Sequence, residues 1–176
     1  MSIRFLSVLL VGFAAFSVLG CANQSAPIPT ANQVDLERFM GDWHVLGNVP
    51  TFIERKAYNS LESYELAEDG TVSTTFRFNK GALDGPEKTY RPRGFVRDTQ
   101  SNAVWGMQFV WPFKAEYRIL HVNAEYDQCI IGRSKRDYLW IMARNPDLPD
   151  AAYEKLVAIA EEQGYSPQDI RRVPHQ

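Results

Sequence analysis

Residues 137–146 read Asp137-Tyr138-Leu139-Trp140-Ile141-Met142-Ala143-Arg144-Asn145-Pro146, and they decide the fold. Side chains along a strand alternate between two faces. One face here carries Tyr138, Trp140 and Met142; the other carries Leu139, Ile141 and Ala143. A strand that is apolar on both faces is covered on both. One cover is the interior of a sheet, and the other has to be a helix. A helical pattern follows at once. Asp147 is the expected N-cap, with Pro149 in the first turn and Asp150 near the positive end of the dipole. Ala152, Leu156, Ile159 and Ala160 recur at helical spacing, and Gly164 ends the segment. Residues 169–173 read as a small extra strand.

Upstream, the chain alternates short strand-like runs with turn signals. The runs are 43–48, 56–66, 72–79, 88–97, 104–110, 115–123, 128–133 and 138–144, eight in all. This predicts an all-β protein. Trp43 opens the first run, in Gly41-Asp42-Trp43, and Arg144 closes the last. A guanidinium stacked on that indole contributes about 0.5–2 kcal/mol. Such a pair joins the two ends of a sheet, as a closed barrel requires. Before it, Leu36, Phe39 and Met40 are expected to plug one end from a single helical turn.

Composition narrows the function. The 176 residues hold 19 Lys+Arg against 21 Asp+Glu, with no basic stripe to favour nucleic acid. Aromatic residues make up 12%, which suits a large apolar interior or pocket. The first twenty residues are different material: Arg4, then a nearly continuous apolar run from Phe5 to Leu19, in the form of a signal peptide. Val18-Leu19-Gly20-Cys21 looks like the lipobox of bacterial lipoproteins. That resemblance implies cleavage before Cys21 and acylation of it, giving a leader at 1–20, a lipidated tether at 21–33 and one domain at 34–176. Several acyl chains anchor stably where a single one is marginal. Ala22 follows the cysteine, where an Asp would favour inner-membrane retention, so an outer-membrane location with the barrel facing the periplasm is expected. Cys129 then remains alone, as a small buried hydrophobe.

Gly41-Asp42-Trp43, the turn Tyr126-Asp127-Gln128 before the seventh run, and Arg144 match in order the three landmarks of the lipocalins. The chain resembles that family over about residues 34–173, and within it the bacterial outer-membrane members. The resemblance implies an eight-stranded antiparallel up-and-down β-barrel with a C-terminal α-helix packed outside. It departs from the usual pattern at Asn123-Ala124-Glu125, at His44, and at Glu62, where relatives commonly carry a small cavity-facing residue.

An eight-stranded barrel has room for one small ligand. Alternation assigns Tyr58, Glu62, Tyr64, Phe76, Phe78, Trp105, Met107, Phe109, Tyr117, Ile119, Trp140 and Met142 to the inward face, as pocket or as solid core. Glu62 belongs there if the register of its run holds, and is exposed if it does not. The family resemblance implies a fatty acid or lysophospholipid ligand, held without any cofactor or metal; a homodimer is compatible with this. Arg55, Lys56, Lys80 and Lys114 lie near predicted turns, where a head group would be met. The competing functions are a lipocalin-fold isomerase or lipid-modifying enzyme using Glu62 and His121 as an acid–base pair, and an envelope protein-interaction module. The first lacks a nucleophile motif or metal-ligand spacing in the sequence.

Overall fold

The computed structural model describes residues 27–176. The expected leader and Cys21, the expected lipidation site, lie outside the described residues. A short helix α1 (Leu36–Phe39) precedes strands β1 (Gly41–Val49), β2 (Ala57–Leu66), β3 (Thr71–Lys80), β4 (Glu87–Tyr90), β5 (Arg93–Val96), β6 (Val104–Val110), β7 (Phe113–Val122), β8 (Gln128–Gly132) and β9 (Leu139–Ala143). Helix α2 (Asp150–Glu162) and a two-residue strand β10 (Arg171–Arg172) follow. Strands pair antiparallel in chain order, and β1 pairs with β9 to close the barrel. β10 adds to β1 at Gly47 and Asn48, beyond the stretch that pairs with β2.

The run expected at 88–97 is one barrel strand in two pieces. β4 and β5 both pair with β3, separated by Arg91-Pro92. Proline has no N–H for the ladder. Its carbonyl still serves, accepting from Thr74 N–H at 3.2 Å. Counting the two pieces as one gives an eight-stranded barrel.

Strand β9 is covered as its sequence requires. Met142 packs in the interior with Trp43, Val45, Tyr64, Trp105, Tyr117, Ile119 and Ile131, and Trp140 packs against that cluster. Leu139, Ile141 and Ala143 point outward, against Tyr153, Leu156 and Ala160 of α2. The helix starts later than expected. Pro149, not Asp147, holds the N-cap position, with extended dihedrals and no side-chain cap. The residue before a proline avoids helical dihedrals, so Leu148 cannot be in the first turn. Asp147 instead donates its N–H to Asn145 Oδ1 at 3.0 Å. Tyr153 rather than Ala152 heads the buried face. Gly164, at φ +88°, ends the helix, and Tyr165 N–H returns to the Ala160 carbonyl at 3.1 Å.

The N-terminal segment departs from a free tether. Ile28 is wholly buried in the outer cluster. Ala31 N–H donates to the Ile119 carbonyl at 3.0 Å, and Val34 N–H to that of Ser101 at 2.7 Å. Isoleucine within a polar Pro/Ala/Asn stretch found an apolar groove to fill.

The far end of the barrel is shut by α1. Asp35 caps it, accepting from Arg38 N–H at 3.1 Å. Phe39 sits among Trp43, Tyr64 and Trp105, with ring centroids at 5.1, 5.6 and 5.7 Å. Arg144 fastens the plug. Its guanidinium lies 3.8 Å over the Trp43 ring and donates to the carbonyls of Asp42 (2.7 Å), Arg38 (3.0 Å) and Met40 (2.7 Å). Gly41 is left-handed, at φ +91°, and a Cβ there would lie 3.3 Å from Arg144 Nη1. A side chain at 41 is therefore strained and crowds the guanidinium.

Candidate functional site

The other end is open onto a cavity of about 410 Å³. Of the residues assigned inward from sequence, Glu62, Phe76, Met107, Phe109, Tyr117 and Trp140 line it. Tyr64, Trp105, Ile119 and Met142 lie in the packed interior cluster between the cavity and the plug. The barrel is thus solid at one end and hollow at the other. Phe78, on the same face as Phe76, does not line the cavity and stacks near-parallel on Tyr90 at 6.1 Å. Phe109 lines the cavity but is 53% exposed, and β6 shifts register beside it, between Met107 and Val110.

Tyr58 is the clear misassignment. Strand β2 carries a bulge between Tyr58 and Leu61, with Asn59 left-handed at φ 48°. One extra residue reverses the alternation. Ala57 points in and Tyr58 out, where the Arg171 guanidinium lies 5.5 Å over its ring. Past the bulge, Ser60, Glu62 and Tyr64 are buried in phase.

A second bulge, between Ile119 and His121, separates the acid–base pair of the enzyme alternative. His121 pairs across strands with Ile130, and directly opposed residues point to the same side. Ile130 belongs to the outer cluster, so His121 faces outward and Glu62 inward. Burial lowers the His121 pKa.

Glu62 is 8% exposed and has no cationic partner among the described residues. Burial first, then the charge of Glu54, raises its pKa to about 8, so it is mainly the neutral acid at pH 7. Tyr64 donates its hydroxyl to Glu62 Oε2, and the Tyr64 and Tyr117 hydroxyls meet at 2.5 Å. Burial, with Glu62 next, pushes Tyr117 well above the usual phenol range.

The basic groups near the cavity are not the ones expected. Arg55, Lys56, Lys80 and Lys114 do not line it, whereas Arg91 and Arg133 do. The Lys114 ammonium sits 3.3 Å over the Phe95 ring instead. Sequence reasoning also missed Glu54, in the β1–β2 connection, whose Oε1 accepts from Trp140 Nε1 at 2.6 Å. A residue in an irregular loop has no periodicity to reveal it. Tyr138 lines the cavity too and was legible, since it shares the Trp140 face. The mouth carries large exposed apolar groups: Phe52 (78%), Trp111 (81%) and Phe113 (75%), with Val110 and Phe109 between. Trp111-Pro112 forms the tip of the β6–β7 hairpin.

Together, the closed antiparallel barrel, the plugged end and the apolar open end define a barrel built around a pocket. Residues 34–175 match the lipocalin-like domain family, and the chain belongs to the lipocalins. It is 28% identical over 166 residues to outer membrane lipoprotein Blc of Citrobacter freundii, covering 92% of each chain. It is 25% identical over 150 residues to temperature-induced lipocalin-1 of Arabidopsis thaliana, covering 80% of this chain and 79% of that one. Its fold resembles insecticyanin from the tobacco hornworm, with a TM-score of 0.67 at 13% identity over 85% of each chain.

Proposed function

We propose that this lipocalin is an envelope lipoprotein that holds a fatty acid or lysophospholipid in its cavity, as a binder and carrier and not as an enzyme. The observation that carries this is the half-hollow barrel: a cavity of about 410 Å³ walled by Phe76, Tyr90, Met107 and Trp140. Burial of an acyl chain there contributes about 0.8 kcal/mol per methylene. Arg91 and Arg133 give an anionic head group a partner. The exposed aromatic groups at the mouth suit an opening that takes lipid from a bilayer, since Trp and Phe partition into its interface. Anchoring through Cys21, in the outer membrane with the barrel in the periplasm, is supported by the Leu19-Gly20-Cys21 motif and by relatives named as outer membrane lipoproteins. The outward position of His121 argues against the acid–base pair.

The test is a titration of lysophospholipid or palmitate, read by tryptophan fluorescence. Saturable binding is expected, with the lipid recovered unchanged. Met107→Arg, which places an unpaired charge on the cavity wall, should reduce affinity at least tenfold. No saturable binding, or turnover of the lipid, would sink this function.

A further inference from the structure

We propose that the floor of the cavity is a polar subsite, built from Glu62, Tyr64, Thr74 and Tyr117. Its ligand is a neutral oxygen function, a hydroxyl or carbonyl, at the buried end of an otherwise apolar chain. This inference rests on the lipid-binding function proposed above and specifies the chemical class of the lipid.

The geometry places these groups together. Glu62 and Tyr64 share a face of β2; across the ladder Glu62 opposes Phe76, and Tyr64 opposes Thr74. Tyr117 comes from β7, on the opposite wall, and reaches the Tyr64 hydroxyl. Glu62, Thr74 and Tyr117 all line the cavity. Tyr64 serves one carboxyl oxygen of Glu62, and the other has no protein partner among the described residues. Thr74 Oγ1 is buried and likewise unpartnered. Two polar groups, each at least nine-tenths buried, are thus turned into an apolar space with bonding capacity unused.

A chain ending in a methyl group covers these groups and gives nothing back, which is the costly way to bury them. A hydroxyl or carbonyl at the same point restores the missing bonds. An ammonium would ionise the acid and leave a buried ion pair, which costs the desolvation of both charges. The titratable groups facing Glu62 are Tyr64 on its own strand, Tyr117 on β7, Glu54 from the β1–β2 connection and, more remotely, Cys129 on β8. None is a cation, so the site holds a neutral acid and matches a neutral partner.

The cationic side chains of the cavity complete the description. Arg91 and Arg133 line the cavity; Arg133 pairs with Asp137 at 3.4 Å and keeps a buried Nε with no partner among the described residues. The ligand that satisfies both sets of groups is an anionic amphiphile, with a carboxylate or phosphate head and an oxygen function near the tip of its chain.

The probes are dodecanoic, tetradecanoic and hexadecanoic acid, each compared with its ω-hydroxy form. Affinities at pH 7 are read by tryptophan fluorescence on the full chain carrying Cys21→Ser. At the length that reaches the floor, the ω-hydroxy acid should bind about fivefold or more tightly than its parent. Glu62→Leu should reverse the order, the parent binding at least tenfold better, as an apolar floor demands. Thr74→Val, close to isosteric and safe for folding, should reduce the hydroxyl preference about twofold or more without abolishing binding. Parent acids preferred at every length by the wild type, or a preference untouched by both substitutions, would overturn the subsite while leaving the carrier function intact. Absence of binding by every acid would overturn both.

Discussion

Arg144→Ala tests whether the barrel is held shut from one residue. The guanidinium stacks 3.8 Å over Trp43, which contributes about 1 kcal/mol. Its two shortest hydrogen bonds, both 2.7 Å, go to the carbonyls of Asp42 and Met40. Bonds from a charged donor are worth more than neutral ones, but this group is partly exposed, so about 1 kcal/mol each is a fair value. The longer contacts to Arg38, Phe39 and Tyr126 are left out. The sum is about 3 kcal/mol, a drop of about 6–12 °C in Tm for a domain of this size. Thermal or urea unfolding followed by tryptophan emission measures it, since Trp43 and Trp105 are both in the plugged half. Arg144→Lys keeps the charge and loses the planar fork, so it should recover about 1 kcal/mol. Lipid affinity below the transition should be unchanged, because Arg144 does not line the cavity. A midpoint within about 1 °C of wild type, or lost affinity in a folded variant, would refute the reasoning.

Further predictions concern the other end. Glu62 has a folded pKa of about 8 against an ordinary 4.5, so the native state binds the proton more tightly. The stability it contributes is full below about pH 4.5 and is lost as pH rises through about 8. Tm should fall across that window, and Glu62→Gln should flatten the slope; an unchanged slope would mean another group titrates. Trp111→Ser with Phe113→Ser should slow lipid transfer from vesicles severalfold while leaving equilibrium affinity within about twofold, as measured by stopped-flow with a fluorescent lysolipid. Equal transfer rates would remove the hairpin from the entry route. Cys21→Ser should move the protein from the membrane fraction to the soluble one on fractionation, and retention in the membrane would exclude acylation as the anchor.

The fold was legible because its decisive stretches are short and unambiguous. Residues 139–143 are apolar on both faces, and the helix that covers one of them comes next in the chain. The misreading of Tyr58 and the outward position of His121 share one cause. Tyr58 and His121 sit beside bulges, and a single inserted residue turns the following alternation over. Nothing in Tyr58-Asn59-Ser60 distinguishes a bulged strand from a regular one, though Asn tolerates the left-handed dihedral better than most residues.

Sequence alone determined the class of this protein: strand periodicity and the order of Gly41, Trp43 and Arg144 are local patterns. Tertiary structure decided how much of the barrel is empty. Whether an inward aromatic becomes lining or filling depends on what reaches it from other strands. Phe39 drives Trp43, Tyr64 and Trp105 into a solid floor, while Met107 and Trp140 face open space. The state of Glu62 was likewise out of reach of the sequence, because a carboxyl's charge is set by burial and by neighbours from distant strands, and those exist only once the barrel has closed.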